Sequence, residues 1–206
     1  MKRLVVSVEG ATERSFVQQV LKPHLVASGW DVCKAVLLGE TGGSVSLPRI
    51  RRDVRLLASN FDCVTTLFDL YAFQGRKGRT ASELEQAMVD EVGQVSNFVP
   101  YIQQFEFEAL LFSDVAKVCS SLGGGPSPLN ELNKVRSAVG SPEEINGVFA
   151  TCPSRRLAKA YPRYDKVLQG PALAAEIGLA TMRVECPRFS AWIATLEGHP
   201  LIGCQA

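Results

Sequence analysis

The chain has 206 residues and a mass of 22.4 kDa, with 46% hydrophobic and 21% charged residues. This size and balance are typical of one folded domain, with or without a subdomain, and exclude a disordered, collagen-like or coiled-coil protein. The 22 basic and 21 acidic residues nearly cancel, so a nucleic acid or an anionic membrane would have to contact a local patch of charge.

Neither a membrane span nor an export signal is expected. The apolar runs, such as LVVSV and ALLF, are far shorter than the ~20 residues that a span needs. The N-terminal MKRLVVSVEG reaches Glu9 after a short apolar run and has no small-residue cleavage site, so we expect no secretion by this route. Six cysteines without a CxxC pair, and only two histidines, argue against zinc and indicate free thiols in a reducing, cytoplasmic protein.

Strand-like and helix-like segments alternate over the first hundred residues, which predicts a largely parallel sheet of about four strands with crossover helices. Helical spacing predicts helices over 13–27, with a kink at Pro23, and over 47–58 and 81–95. The strand candidates are RLVVSV, DVCKAVLL, CVTTLF and, as a strand or an extended segment, FVPYIQQF. CVTTLF is β-branched and uncharged, which predicts a central strand buried on both faces.

The pattern changes after about residue 107, where the remaining segments read as helices. We therefore predict an α/β core over 1–115 and a helical C-terminal subdomain over 116–206 that packs on it. The helix-like segments are FEALLFSDVAKVCSSL, LNELNKVRSAV, RRLAKAY, PALAAEIG and CPRFSAWIATLEG.

Carboxylates follow several predicted strands. Glu9 ends the first strand, with Glu13 one helical turn later, and Asp69 ends the third. Functional groups collect at the carboxyl ends of parallel strands, where such acids would raise one another's pKa unless a cation neutralised them. Oxygen ligands without His or Cys suit Mg²⁺ or Mn²⁺, so we predict a metal site. Its candidate ligands are Glu9, Asp69, Glu106, Glu108 and Asp114.

Some of these acids have structural alternatives. Glu13 could favour the first turn of its helix through the helix dipole, and Asp114 after a serine could be a helix cap. Glu106 and Glu108 alternate with phenylalanines, so one of the pair could face solvent, and spacing does not choose between them. Glu9 and Asp69 each directly follow an apolar strand, with no nearby base as a partner.

Two local groups of basic residues are candidates for binding phosphate. A flexible loop beyond a metal carboxylate is well placed to hold a phosphate chain, and PSRR at the start of a helix could form an anion site. A solvated helix face is the alternative for both groups. The candidates are Arg76, Lys77, Arg79, Ser154, Arg155 and Arg156.

VVSVEGATERSF resembles the first acidic motif of Toprim domains, the fold shared by topoisomerases, primases and overcoming-lysogenization-defect nucleases. LFDLYAF lies where the second, DxD-like motif belongs, but Tyr71 replaces the second acid. VEGATE, TTLFDLYAF, VPYIQQFEFEALLFSD, TCPSRRL and CPRFSAWIATL, in this order, are similar to an uncharacterised Toprim-like prokaryotic family. That family is often encoded beside ABC- or AAA-type ATPases and is related to abortive-infection proteins.

The resemblance implies a Toprim-like core and a nuclease that acts with an ATPase subunit on DNA or RNA, in anti-phage defence. It implies Mg²⁺ or Mn²⁺ as the cofactor, with Glu9, Glu13 and Asp69 as catalytic residues, and Glu9 or Glu13 as a general acid or base. Because of Tyr71, the position of a second metal carboxylate is either empty or filled by Glu106, Glu108 or Asp114. The alternative is a non-catalytic Toprim-like interaction subunit of an ATPase complex.

Overall fold

The computed structural model of the chain describes residues 1–145 and 151–198 and has an α/β fold. Its five-stranded sheet has the order β2-β1-β3-β4, with β5 also paired to β3, and every pairing between these strands is parallel. The predicted fold class, a parallel sheet followed by helices, is confirmed. The strands are β1 Arg3–Val8, β2 Val32–Leu37, β3 Cys63–Asp69, β4 Phe98–Val99 and β5 Ile102–Gln103.

Helices connect these strands and make up most of the C-terminal half. They are α1 Ala11–Phe16, α2 Lys22–Ala27, α3 Leu47–Ala58, α4 Ala81–Val92, α5 Val115–Ser121, α6 Pro126–Ser137, α7 Pro153–Ala160, α8 Gln169–Ile177, α9 Leu179–Glu185 and α10 Pro187–Glu197. Short 3-10 segments cover Leu38–Glu40, Leu70–Ala72, Phe107–Asp114 and Pro142–Glu144. The sequence did not predict α9, and it predicted an ordinary helix where Phe107–Asp114 is a 3-10 segment.

The first crossover is continuous helix from α1 to α2, with a π-helical segment at Val17–Leu21 between them. Pro23 has no N–H, and its ring would clash with the carbonyl four residues earlier. The wider π-helical turns precede Pro23, in the place where the sequence predicted a kink.

Strand register brings the carboxyl ends of the central strands together. Val8 of β1 pairs with Leu67 of β3, and Asp69 pairs with Gln103 of β5. All seven residues of β3 are buried, as predicted for a central strand. The fourth predicted strand is two short strands, with Pro100 between them, because proline has no N–H for the ladder. The end of β1, the end of β3 and the chain after β5 thus lie at one edge of the sheet.

Two apolar clusters cover the two faces of the sheet. Leu4, Val6 and Val8 of β1 pack with the C-terminal helices, whereas Val5 packs with α3 and α4. This alternation follows the two-residue period of a strand. Each face of the sheet is therefore covered by helices, as parallel sheets require.

The C-terminal helices are fixed to the sheet by polar contacts as well as apolar ones. The Trp192 indole N–H donates to Thr65 Oγ1 of β3 at 2.8 Å, and the ring stacks on Tyr101 with centroids 4.3 Å apart. The Trp30 indole N–H donates to the Leu196 carbonyl at 3.0 Å. The predicted boundary between 1–115 and 116–206 falls within α5, and one apolar cluster spans it.

None of the helices described for 1–145 and 151–198 has the length and apolar character needed to cross a membrane.

Candidate functional site

Glu9 and Asp69 lie side by side at the carboxyl edge of the sheet. Glu9 directly follows β1, and Asp69 is the last residue of β3, the strand next to it. The backbone N–H of Asp69 donates a hydrogen bond to the Glu9 carboxylate. The parallel register therefore brings together the two acids that the sequence singled out most strongly.

Two more carboxylates join them from outside the sheet. Glu13 lies in the first turn of α1 and is only 3% exposed. A Cβ placed on Gly10 would lie 3.2 Å from Glu13 Oε2, so this side chain folds back over Gly10 toward Glu9. Glu108, in the 3-10 segment after β5, is fully buried. Glu9, Glu13, Asp69 and Glu108 are called the acidic centre below.

The electrostatics of the acidic centre reflect burial and mutual repulsion. Burial, with Glu13 as the main charged neighbour, raises the pKa of Glu9 from 4.5 to about 7. Burial also raises the pKa of Glu108 to about 7, against the opposing effect of Lys166. The pKa of Asp69 is well above its usual value because the side chain is buried beside Glu13, Glu9 and Glu108. A nearby cation would stabilise the charged forms of all these groups.

Lys166 supplies one such cation, and no sequence pattern predicted it. It lies between α7 and α8, about one hundred residues from Asp69 along the chain. Burial lowers the pKa of its ammonium, but Glu108 and the other three acids of the centre outweigh that effect and raise it. A single lysine outside any basic group carries no sequence signal, so only the tertiary structure reveals this neighbour.

Several oxygens of the acidic centre are buried and accept no hydrogen bond from the described residues. They are Glu9 Oε2, Asp69 Oδ1 and both carboxylate oxygens of Glu108. Buried carboxylates are ordinarily paired, so these atoms mark places for a ligand or water. Their hard oxygen chemistry fits Mg²⁺ or Mn²⁺. Within 1–145 and 151–198, no three His, Cys, Asp or Glu side chains form a cluster that could hold a metal ion.

The other two predicted metal ligands have different neighbours. Glu106 Oε2 accepts a hydrogen bond from the Ser154 backbone N–H at 3.0 Å, at the start of α7. Asp114 caps α5 by accepting from the Lys117 N–H at 2.9 Å, and also pairs with its ammonium at 3.9 Å. Both carboxylates thus have structural hydrogen bonds, in contrast to Glu108.

The first predicted phosphate-binding group forms an ordered loop after β3. Arg76 lies over the Tyr71 ring, with its guanidinium carbon 5.5 Å from the ring centre. The Arg79 guanidinium donates to the carbonyls of Gly75 and Arg76, which fixes the loop. Lys77 is exposed and adopts a left-handed backbone conformation, with φ of +50°.

The second predicted group, at the start of α7, is connected to this loop. Burial raises the pKa of Tyr71, and both Arg76 and Glu106 lie close enough to affect it. The Ser154 N–H donates to the Glu106 carboxylate. Arg155 is exposed on α7. Arg156 instead donates from Nε to the Thr151 carbonyl at 2.6 Å. Tyr71 therefore lies near both Arg76 and Glu106, and the start of α7 contacts Glu106, which itself neighbours Glu108 of the acidic centre.

A glycine-rich loop holds the backbone of Glu9. The Gly43 N–H donates to the Glu9 carbonyl at 2.9 Å, and a Cβ on Gly42 would lie only 2.3 Å from that oxygen. Gly42 has a φ of +70°, which also favours glycine. Arg49 of α3 donates to the carbonyls of Ser44, Leu38 and Gly42 and so fixes this loop. No sequence pattern predicted the contact of this loop with Glu9.

A cleft of about 720 Å³ lies between α6 and the α5 and α9 region, and no residue of the acidic centre lines it. Its charged groups include Arg136 and Glu185, which form an ion pair with each other. The unpartnered carboxylates, rather than this cleft, identify the candidate site.

The comparisons with known proteins give a family but no function. Residues 8–197 match the model of a domain of unknown function, DUF4276. A search of curated proteins and a search of solved structures each found no significant match. The matched region contains the whole acidic centre and Lys166, and the chain belongs to the DUF4276 family.

Proposed function

We propose that this chain is a metal-dependent phosphodiesterase, the nuclease subunit of a complex with an ATPase. One observation carries the proposal. Four carboxylates from three parts of the core gather beside Lys166, and buried oxygens of three of them have no hydrogen-bond partner among the described residues. A cluster maintained only for stability would pair these atoms or replace them, because an uncompensated buried charge is costly.

Glu9 and Asp69 would hold Mg²⁺ or Mn²⁺, with Glu108 as the third candidate ligand. Mg²⁺ usually keeps several waters and takes only one or two protein carboxylates, so a cluster of three ligands is not required. When bound, the ion supplies charge stabilisation at a phosphate and lowers the pKa of a bound water. Tyr71 in place of a second acid favours one ion rather than two.

The residues of the chain provide the remaining chemistry. Glu13, which neighbours Glu9 but is not one of the proposed ligands, would act as the general acid or base. Glu9, whose pKa burial raises to about 7 without metal, is the alternative in this role if Asp69 and Glu108 hold the ion. The Lys166 ammonium would stabilise negative charge on the reacting phosphate. Because Glu108 neighbours Lys166, it would keep the ammonium at the centre when no substrate is bound.

Basic groups near the site would hold the flanking nucleic-acid backbone. Arg76, Lys77, Ser154 and Arg155 are the candidates, since phosphate contacts position a strand without reading its sequence. Arg79 and Arg156 donate to backbone carbonyls, so their main role would be to shape the loop and the start of α7.

The partner and the setting follow from the Toprim-like resemblance. We propose an ABC- or AAA-type ATPase subunit as the partner, DNA or RNA as the substrate, and a role in phage defence. The described cysteines are buried thiols, which is consistent with a reducing, cytoplasmic location; Cys204 lies outside the described residues.

Thermal unfolding with and without Mn²⁺ or Mg²⁺ tests the proposal. At a metal concentration 100 times the Kd, binding stabilises by about 2.7 kcal/mol, which raises the Tm of a chain this size by about 5–10 °C. Asp69→Asn should abolish this shift. Glu143→Gln is a matched control, because Glu143 is also a buried carboxylate but accepts from the Arg188 and Phe189 N–H groups.

Cleavage assays complete the test. The wild-type chain with its ATPase should cleave single- or double-stranded DNA or RNA in Mn²⁺, Asp69→Asn should not, and Glu143→Gln should. If neither metal shifts the Tm of the wild-type chain, alone or with its partner, the proposal is wrong, and the non-catalytic interaction subunit becomes the better interpretation.

A further inference from the structure

The segment between α7 and α8, residues 161–168, brings a second polar group to the acidic centre besides Lys166. The Tyr164 hydroxyl is buried and has no hydrogen-bond partner among the described residues. Buried tyrosine hydroxyls usually find a partner, so an unpaired one beside a candidate site needs an explanation.

Gly170 shows where this hydroxyl lies. A Cβ placed on Gly170 would be 3.1 Å from the Tyr164 hydroxyl oxygen, 3.2 Å from the Phe107 ring and 3.6 Å from the Thr12 methyl group. Phe107 directly precedes Glu108, and Thr12 directly precedes Glu13. The Tyr164 hydroxyl therefore lies near α1, which carries Glu13, and near the 3-10 segment that carries Glu108.

The surroundings keep the phenol protonated. Burial, followed by the negative charge of Glu108, raises the pKa of Tyr164 far above its usual value. A neutral phenol is a hydrogen-bond donor. Glu108 is close enough to affect this pKa, yet both of its oxygens are also without a partner, so the two groups do not bond directly.

The acidic centre thus has two chemically different sides. The core elements supply carboxylate oxygens, which suit a cation, whereas residues 161–168 supply the Lys166 ammonium and the Tyr164 hydroxyl, which suit an anion. We propose that Tyr164 binds the substrate by donating its hydroxyl to a non-bridging phosphate oxygen. This inference rests on the proposed phosphodiesterase function, and it assigns phosphate recognition to the C-terminal half of the chain.

Tyr164→Phe tests the inference, with Tyr161→Phe as the matched control. Tyr161 belongs to the same segment, but its hydroxyl lies against Gly124, and its titratable neighbour is the Cys119 thiol rather than an acid of the centre. Binding of Mn²⁺ alone, and then of inorganic phosphate and a nucleoside 5′-monophosphate to the Mn²⁺-loaded protein, is measured by calorimetry for all three proteins.

We expect equal Mn²⁺ affinity in the three proteins, and phosphate and nucleotide affinities about tenfold lower in Tyr164→Phe alone. The variant should be at least as stable to urea as the wild type, because it loses an unpartnered buried hydroxyl. Phosphate affinity in Tyr164→Phe equal to that of the wild type would overturn the inference, as would loss of stability without loss of affinity, which indicates a structural water bridge. Absence of Mn²⁺ binding to the wild-type protein would instead refute the proposed function.

Discussion

Gly42→Ala is the sharpest test of how the fold positions Glu9. Gly42 has a φ of +70°, and an added Cβ would lie 2.3 Å from the Glu9 carbonyl oxygen. That oxygen belongs to the backbone, so it cannot rotate away as the end of a side chain could. The Cβ and the oxygen must separate by about 1 Å to reach an ordinary van der Waals contact.

The Gly43→Ala control separates the two contributions to the loss of stability, which are backbone strain and the clash with the Glu9 carbonyl. Gly43 has a φ of +79°, but an added Cβ there meets nothing within 4 Å. Gly43→Ala therefore introduces only left-handed strain, about 1–2 kcal/mol. Gly42→Ala introduces the same strain and also the clash, which costs a further 1–3 kcal/mol or so. The difference between the two variants measures the contact with Glu9.

The clash should also disturb the candidate metal site. A shift of about 1 Å at the Glu9 carbonyl stretches its 2.9 Å hydrogen bond from the Gly43 N–H and displaces the carboxylate. Misplacement of this size can reduce activity by about 100-fold. Urea unfolding gives the free energies, and the Mn²⁺-induced rise in Tm reports on the site. Gly43→Ala should keep most of this rise, and Gly42→Ala should lose it.

The glycine-rich loop does not position Glu9 if Gly42→Ala is as stable as Gly43→Ala and retains the full Mn²⁺ response. That result would mean that the loop moves away from Glu9 at no cost, and that it does not position the carboxylate.

Three further predictions concern the acidic centre and the C-terminal half. Burial raises the pKa of Glu9 and of Glu108 from 4.5 to about 7, so the folded protein binds more protons than the unfolded chain between pH 4.5 and pH 7. Without metal, the free energy of unfolding should therefore fall as the pH rises from about 4.5 to about 7. Urea unfolding of Glu9→Gln across this pH range should show a smaller decrease in the free energy of unfolding than the wild type shows. Glu108→Gln should leave apo stability unchanged or raise it, whereas Glu143→Gln should lower it by about 1–3 kcal/mol because Glu143 accepts two backbone N–H groups; equal urea midpoints for the two variants would contradict this. Gly124→Ala should lower the free energy of unfolding by about 1–3 kcal/mol, since the new Cβ would lie 2.0 Å from the Tyr161 hydroxyl. Calorimetry measures this change, and a variant that unfolds at the wild-type temperature would show that the Tyr161 side chain moves away at no cost.

Much of the core was predictable because its signals are local. The β-branched run before Asp69 and the apolar run before Glu9 indicate strands, and parallel strands place their carboxyl ends at one edge. The helix over 47–58 was predicted with its observed bounds, because its apolar residues recur at helical spacing.

The choice between Glu106 and Glu108 was decided only by tertiary structure. Their alternation with phenylalanines left open which of the two faces solvent; in the structure, β5 ends at Gln103 and Phe105 adopts a left-handed conformation with φ of +63°. The following 3-10 segment buries Glu108, while Glu106 remains at its start and holds the Ser154 N–H. A strand-like periodicity cannot predict which side chain turns inward once the strand has ended.

Lys166 and Tyr164 show the same limit over a longer distance. Nothing in YPRYDKVL marks it as part of a site, because neither its spacing nor its composition differs from an ordinary surface loop. Residues 161–168 lie beside the carboxylates because Gly170 lets α8 approach Phe107 and α1. The sequence by itself determined which strands end in acids; packing of the C-terminal helices decided which cation and which hydroxyl face them, since electrostatic neighbours depend on distance in space and not along the chain.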